Sequence, residues 1–418
     1  MPSPPSVQQH RLRSSDILRR ELVRLLTTKV EHVVETVVKQ NVISRLCNTL
    51  DATAFLKAER DRRIVAKLVN HVKKIWGEFS EAGSMSTCLS GFNIDLLPPV
   101  QFSSLFRFTA SELRQLLHPL RLLGRDGLPR KFILGTLLAP DEGQWEVRAD
   151  VALMIVLYRL TRNASMEEIA WYFNLTVSKC SAAFDALVRY LMTYHEEPVQ
   201  EVYCMARRFQ SIADYMVELG SPYDNLLGFV DTAYTNCYTP KPGSQGVSEL
   251  NGNKPLAGFN CLVFTLGNGL LVLSKPCTSN RSEDLMFQTS GVADDLNLVE
   301  EGQKIHYLFY GTNRFTMQLH LQRAIVPPVN DKEFTLNFTM SKLRKPFDKI
   351  YTDFQDKWPG VQACTERADV FRVAILLHNC WTILQGKDHL DLNGKRSKYS
   401  DGMKLTLKQY LVERFDPW

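Results

Sequence analysis

The chain has 418 residues, 44% hydrophobic and 23% charged, the balance of a globular protein with room for a sizeable core. No apolar run reaches membrane-spanning length, and the start, Met1-Pro2-Ser3-Pro4-Pro5, is polar rather than signal-like, so neither a membrane-embedded nor a secreted protein is expected. The net charge of +5 is uneven: residues 1–80 hold 15 Lys and Arg against 8 Asp and Glu, the remainder 35 against 37, which places any polyanion contact in the first fifth or simply gives a solvated helix face there.

Residues 1–15 read as disordered. From Ser15-Asp16 a helix is predicted, with Leu18, Leu22, Leu25, Leu26, Val30, Val33 and Val37 at helical spacing. A second helix, Asp51 to Phe79, carries the basic cluster Arg60, Arg62, Arg63, Lys67, Lys73 and Lys74. Residues 81–148 read as a linker and a short helix, Ser111 to Leu123, then an irregular connection from 124 to 146. The nine cysteines are scattered with no C-x-x-C pair, against a disulfide framework or structural zinc and for a reducing compartment.

Residues 149–200 are expected to form a helical domain. An apolar helix covers Val151 to Leu160. Ser165-Met166-Glu167-Glu168 is a capping box opening the next helix, Asn174-Leu175-Thr176 is a turn, and a third helix runs from Val177 to Tyr190. Helix, short turn and a helix starting with Ser178 and Lys179 is the order of a DNA-binding helix-turn-helix, and equally of an ordinary helical hairpin.

After residue 222 the rhythm changes. Leu226 to Asp231 is a strand ending in a carboxylate, which is either a metal ligand placed on a rigid element or, as the residues alone favour, an Asp that starts a turn. Asn260 to Leu266 and Leu270 to Ser274 form a hairpin about Gly267-Asn268-Gly269. Glu283 to Asp295 reads as helix, Ile305 to Tyr310 as strand, Ala324 to Val326 as a further short strand, and Met340 to Trp358 and Val370 to Leu384 as helices. The expected class is α+β or α/β: helices first, then a mixed sheet flanked by helices over 222–390 and a C-terminal tail, 391–418. His306 is a candidate base or ligand, and His378, in an apolar helix, a core histidine. Ser244 and Ser248 fall in a loop with no triad partners, and no P-loop is present. Lys254, Lys275 and Arg281 are candidates to line a phosphate channel.

The second half resembles the DDE nuclease domain of PIF/Harbinger transposases and their derived nucleases. The resemblance rests on an ordered set: Gly228-Phe229-Val230-Asp231, Asn251-Gly252-Asn253-Lys254, Phe259-Asn260, Asn280-Arg281-Ser282-Glu283 through Ser290-Gly291, Tyr310-Gly311, Asn337, Met340-Ser341-Lys342-Leu343-Arg344 with Asp348, and Arg372-Val373-Ala374 with Leu377-His378-Asn379-Cys380. It spans roughly residues 100–390 and leaves the first hundred untouched.

It implies an RNase H-like fold in which three carboxylates hold two Mg²⁺ or Mn²⁺ ions about 4 Å apart for phosphodiester hydrolysis. Asp231 matches the first acid, Asp348 the third, usually Glu, and the second position is Thr312, a poor ligand that carries no charge. Glu283, Asp284, Asp294 and Asp295 are the acids that would have to compensate. The family further implies a nuclear protein acting on DNA through Ser178, Lys179, Lys254 and Arg281, with a separate Myb-like DNA-targeting partner, and leaves homo-oligomerisation open. The expectation is a nuclease scaffold with impaired catalysis. The alternative is a non-catalytic DNA-binding or protein-interaction module.

Overall fold

The computed structural model describes residues 97–135, 144–234, 250–251, 254–255, 259–278, 281–364, 367–386 and 399–412. Contacts divide the chain into Met1–Ser86 and Thr87–Trp418, and every described residue lies in the second unit. The two predicted helices of residues 1–80, the loop with Ser244 and Ser248, and half of the predicted tail lie outside the described residues.

Helices α1 (Pro99–Phe106) and α2 (Ala110–Leu117) lead in. Thr109 and Glu112 form a reciprocal capping box at the start of α2. The helix predicted to reach Leu123 stops sooner. Arg121 turns left-handed (φ 57°), and Leu122 N–H reaches back to Leu117 O at 2.8 Å while Arg121 N–H bonds His118 O at 2.9 Å, a Schellman closure. The connection read as irregular contains a hairpin, β1 (Lys131–Gly135) paired antiparallel with β2 (Gln144–Arg148).

Helix α3 (Ala149–Arg162) is buried on nearly every side, as its unbroken apolar run requires. Ser165 caps α4 (Met166–Phe173) by accepting the Glu168 N–H at 3.2 Å; the Glu168 carboxylate takes the Tyr158 hydroxyl at 3.0 Å. Three residues then lead into α5 (Val177–His195). The short helix α6 (Glu197–Gln200), a 3₁₀ turn (Val202–Arg208) and α7 (Phe209–Glu218) bring the chain to the sheet.

The sheet has the order β10-β9-β3-β6-β7, where β3 is Leu226–Tyr234, β6 Phe259–Leu266, β7 Leu271–Leu273, β9 Leu308–Tyr310 and β10 Leu321–Gln322. Strands β10, β9 and β3 are mutually parallel; β6 runs antiparallel to β3 and to β7. The short β4 (Leu250–Asn251) and β5 (Lys254–Pro255) pair with each other, and β8 (Cys277–Thr278) pairs with the start of β6. All eight positions of β6 are buried, so both faces are covered and the alternation of a half-exposed strand is absent. The mixed α+β architecture expected from the pattern is present.

The helix expected over Glu283–Asp295 is two: α8 (Glu283–Gln288) and α9 (Val292–Gln303), parted at Gly291, whose φ of 82° suits glycine. The strand expected at Ala324–Val326 is not formed. The Asn337 side chain takes both backbone groups of Ile325, accepting its N–H at 2.9 Å and donating to its carbonyl at 2.7 Å, and Pro327-Pro328 follows. Helix α10 (Asp331–Lys357) begins nine residues before the expected Met340, capped by Asn330, and contains Pro346. Helix α11 (Ala368–Gln385) is almost wholly buried. A short helix α12 (Ser400–Met403) and α13 (Leu407–Leu411) close the described chain.

One continuous core runs from Phe102 to Leu411 and includes both the helical segment and the sheet. Asn379 on α11 seals the β7 edge: its Oδ1 accepts the Leu271 N–H at 3.0 Å and its Nδ2 donates to the Leu271 carbonyl at 2.8 Å. A side-chain amide thus stands in for a neighbouring strand.

Candidate functional site

Strand β3 is buried from Leu226 to Val230 and emerges at Asp231, whose side chain is 51% exposed. Gly228 permits this course. A Cβ there would lie 2.0 Å from the Thr265 carbonyl oxygen, so β3 and β6 close together only with glycine at that place. Helix α10 crosses this end of the sheet with Phe347 against Phe229, ring centroids 5.0 Å apart. That contact sets the adjoining residue, Asp348, near Asp231, which is not the strand's tip as expected: β3 continues to Tyr234 because its pairing with β6 runs on to Asn260.

Asp231 and Asp348 converge there through Arg344. Its Nη2 donates to Asp231 Oδ2 at 2.8 Å and its Nε to Asp348 Oδ1 at 3.0 Å. The Arg344 side chain is only 14% exposed and lies over the Phe229 ring, so the cation is held from below by an aromatic face. Desolvation raises the Asp348 carboxyl above its ordinary value, Arg344 pulls it down and Asp231 adds to the rise. The pairing of Asp348 with Arg344 one turn earlier is legible in the sequence; the reach of the same guanidinium to Asp231 is not.

Thr312 follows β9. Phe229 pairs with Tyr310 in the parallel ladder, so continuing that register two places brings Thr312 level with Asp231. Its Oγ1 accepts the Arg314 N–H at 3.4 Å and supplies no charge. Two of the four candidate compensating acids face the loop after β9. Glu283 lies 3.6 Å from Arg314, and Asp284 accepts the Thr316 N–H at 2.6 Å. Asp294 is exposed in the first turn of α9. Asp295 lies elsewhere, accepting the Tyr203 N–H at 3.3 Å, with its carboxyl pushed up to about 6 by burial.

A two-ion centre needs clustered anionic oxygens to offset the ions' charge. Here one guanidinium already occupies both carboxylates and cancels one of their two charges, the third position is a hydroxyl, and Glu283 and Asp284 are engaged by the loop. The donor set does not fit a pair of divalent ions.

The residues expected to meet DNA are dispersed. Ser178 and Lys179 open α5 but are half-buried, with Lys179 Nζ 5.8 Å from the centre of the Trp145 ring. Helix α5 packs against α3, α4, α11 and β1, which leaves little of its first turn for a groove. Lys254 lies in β5, while Lys275 and Arg281 are exposed. A basic stripe that sequence reasoning missed lies closer to the acids: Lys342, Lys345 and Lys349, spaced three and four apart on α10, are all exposed beside Asp348. His378 is a core histidine that accepts the Trp358 indole N–H at 3.3 Å. No helix among the described residues is long and apolar enough to cross a membrane.

In comparisons with family models, curated proteins and solved structures, nothing matches this chain.

Proposed function

We propose that the chain is a Harbinger-type, transposase-derived protein with an RNase H-like domain that acts on DNA, and that its phosphodiester hydrolysis is impaired. The observation that carries this reading is the meeting of Asp231 and Asp348, far apart in sequence, on one guanidinium at one end of the sheet. A strand inside the sheet and a helix crossing it are the placements that the family resemblance requires of its first and third acids. The impairment rests on Thr312 at the second position and on Arg344 within the acid pair.

DNA is the substrate class this reading names, and the stripe Lys342, Lys345 and Lys349 gives the phosphate backbone a place to lie beside the acids. Such contacts release counterions, so binding weakens steeply with salt. A nuclear location and a separate Myb-like targeting protein belong to the same reading. With catalysis silent, the protein works as a DNA-binding or interaction module on the same scaffold.

The test is plasmid nicking in Mn²⁺ together with DNA binding across a salt series. The expected result is little or no nicking, salt-sensitive binding, and stronger Mn²⁺ uptake by the Thr312→Asp variant measured calorimetrically. Absence of DNA binding at low salt, with no gain in ion uptake by Thr312→Asp, overturns the reading.

A further inference from the structure

A second cluster lies at the opposite end of the sheet. Strand β9 runs from Leu308 toward Thr312, and His306 precedes its start. His320 immediately precedes β10, which lies beside β9, and Glu300 is on the last turn of α9. One ligating atom from each of Glu300, His306 and His320 lies within 4.8 Å of the others. We propose that these three side chains bind a divalent transition-metal ion of the zinc class, which would pin α9 to the starts of the edge strand β10 and its neighbour β9.

The hydrogen bonds give the geometric case. His306 Nε2 lies 2.6 Å from the Leu319 carbonyl oxygen, and His320 Nδ1 lies 2.7 Å from the Tyr307 carbonyl oxygen. A carbonyl only accepts, so each of these nitrogens carries its proton, and the lone pairs fall on His306 Nδ1 and His320 Nε2. Backbone carbonyls fixing the far nitrogen in this way are the usual second layer of a metal-binding histidine. His306 Nδ1 then points at Glu300 Oε2, 2.8 Å away. A lone pair facing a carboxylate is repulsive unless a cation lies between them. His320 Nε2 meets Asn297 Oδ1 at 2.9 Å; that amide can rotate to donate instead, so the demanding contact is the one at His306.

The cation is either a second proton on His306 or a metal ion. Three features favour the metal. The two imidazole rings stack with centroids 4.5 Å apart, so they stand side by side as two ligands of one ion can. Two nitrogens and one carboxylate oxygen are the ligand set of a zinc site with a fourth position left for water. His320 is buried, at 1% exposure, whereas Glu300 and His306 are 40% and 32% exposed, so one ligand is fixed and the entry side is open. Zinc bonds of about 2.0–2.2 Å at tetrahedral angles ask for ligand atoms roughly 3.3–3.6 Å apart, between the 2.8 Å from His306 Nδ1 to Glu300 Oε2 and the 4.8 Å that bounds the cluster. Nothing in this case depends on the DNA reading of the acid pair.

The experiment uses the full chain without an affinity tag, stripped with a chelator. It is titrated with Zn²⁺ alone by calorimetry and with Co²⁺ by visible absorption. The expected result is one equivalent bound, tetrahedral Co²⁺ bands and a raised melting temperature. Binding should weaken more than tenfold in His306→Gln, whose partly exposed position lets circular dichroism verify an unchanged fold. Glu300→Gln is the second variant and should lose the same Co²⁺ bands. Equal zinc uptake by wild type and both variants overturns the proposal. So does a stripped protein that takes up no ion, which assigns the contact to a protonated His306 instead.

Discussion

Arg344 donates to Asp231 at 2.8 Å across a gap between a helix and a strand, and its side chain is far less exposed than the carboxylate it holds. The contact is therefore a structural joint as well as a partial neutralisation of the acid pair. Arg344→Gln should cost about 1–2 kcal/mol of stability, a figure kept low because both carboxylate partners reach solvent. It should also leave two like charges facing each other, so that Mn²⁺ stabilises the variant more than the wild type. Thermal melts with and without Mn²⁺ read both effects; equal shifts in the two proteins would remove Arg344 from the site.

Gly228 tests the strand that delivers Asp231. An added methyl would meet the Thr265 carbonyl at 2.0 Å, and backbone cannot give way as a flexible side chain does. Gly228→Ala should cost about 3 kcal/mol or more, within the range of severe overpacking. Urea unfolding of the two proteins measures it. A cost under about 0.5 kcal/mol, the range of a surface change, would mean that β3 does not approach β6 so closely.

Much of this fold is legible in the pattern, for identifiable reasons. Strands β3, β6 and β7 announce themselves because each is a short apolar run and Gly267-Asn268-Gly269 joins two of them. Helix α11 does so because it is apolar throughout. The hairpin β1–β2 is not legible, since Ile133 faces solvent at 65% exposure between Phe132 and Leu134 and so hides the inside-outside alternation of the strand. The start of α10 does carry a sequence signal, Asn330 followed three residues later by Glu333, whose N–H it accepts at 3.0 Å. For the acid pair, Asp231 and Asp348 are visible as residues but not as partners of one arginine. Glu300, His306 and His320 share no spacing that a sequence reveals; only the parallel pairing of β9 with β10 brings them together.

Asp295 gives a pH dependence. Its carboxyl is raised from the ordinary 3.8 to about 6, so the folded protein holds a proton more tightly than the unfolded chain does. The contribution is complete below about pH 4 and is lost as the pH rises through about 6. Asp295→Asn should stabilise the protein at pH 7.5 by about 1–2 kcal/mol and flatten the stability profile between pH 4 and 6, other groups held constant. Denaturant midpoints at pH 5 and 7.5 check it; an unchanged slope in the variant would place the effect elsewhere.

The proposed DNA contact at the α10 stripe makes a prediction of its own. Replacing Lys342, Lys345 and Lys349 with Ala together should weaken binding to all sequences alike, and should reduce the slope of log affinity against log salt by about 0.9 for each phosphate no longer neutralised. Fluorescence anisotropy at several salt concentrations gives the slope. An unaltered slope would send the DNA to another face.

Asn379 closes the exposed rim of the sheet with two bonds to Leu271, and its Nδ2 also donates to the Tyr410 hydroxyl at 2.7 Å. Asn379→Ala strands two buried backbone groups and should cost about 2–4 kcal/mol. Hydrogen exchange should show it first at Leu271 to Leu273, and protection there equal to the wild type would contradict the role.

Pro346 sits in α10 between the arginine and Asp348. Lacking an N–H, it cannot bond the Lys342 carbonyl, so the rod is at its weakest in the very turn that Arg344 and Asp348 span. Their ion pair works as a splint across that gap, and the tie to Asp231 moors the splinted turn to the sheet. The forward half of the rod keeps its own anchors in Met340, Leu343 and the Asn337–Ile325 bonds, so the splint joins two separately seated halves of one helix.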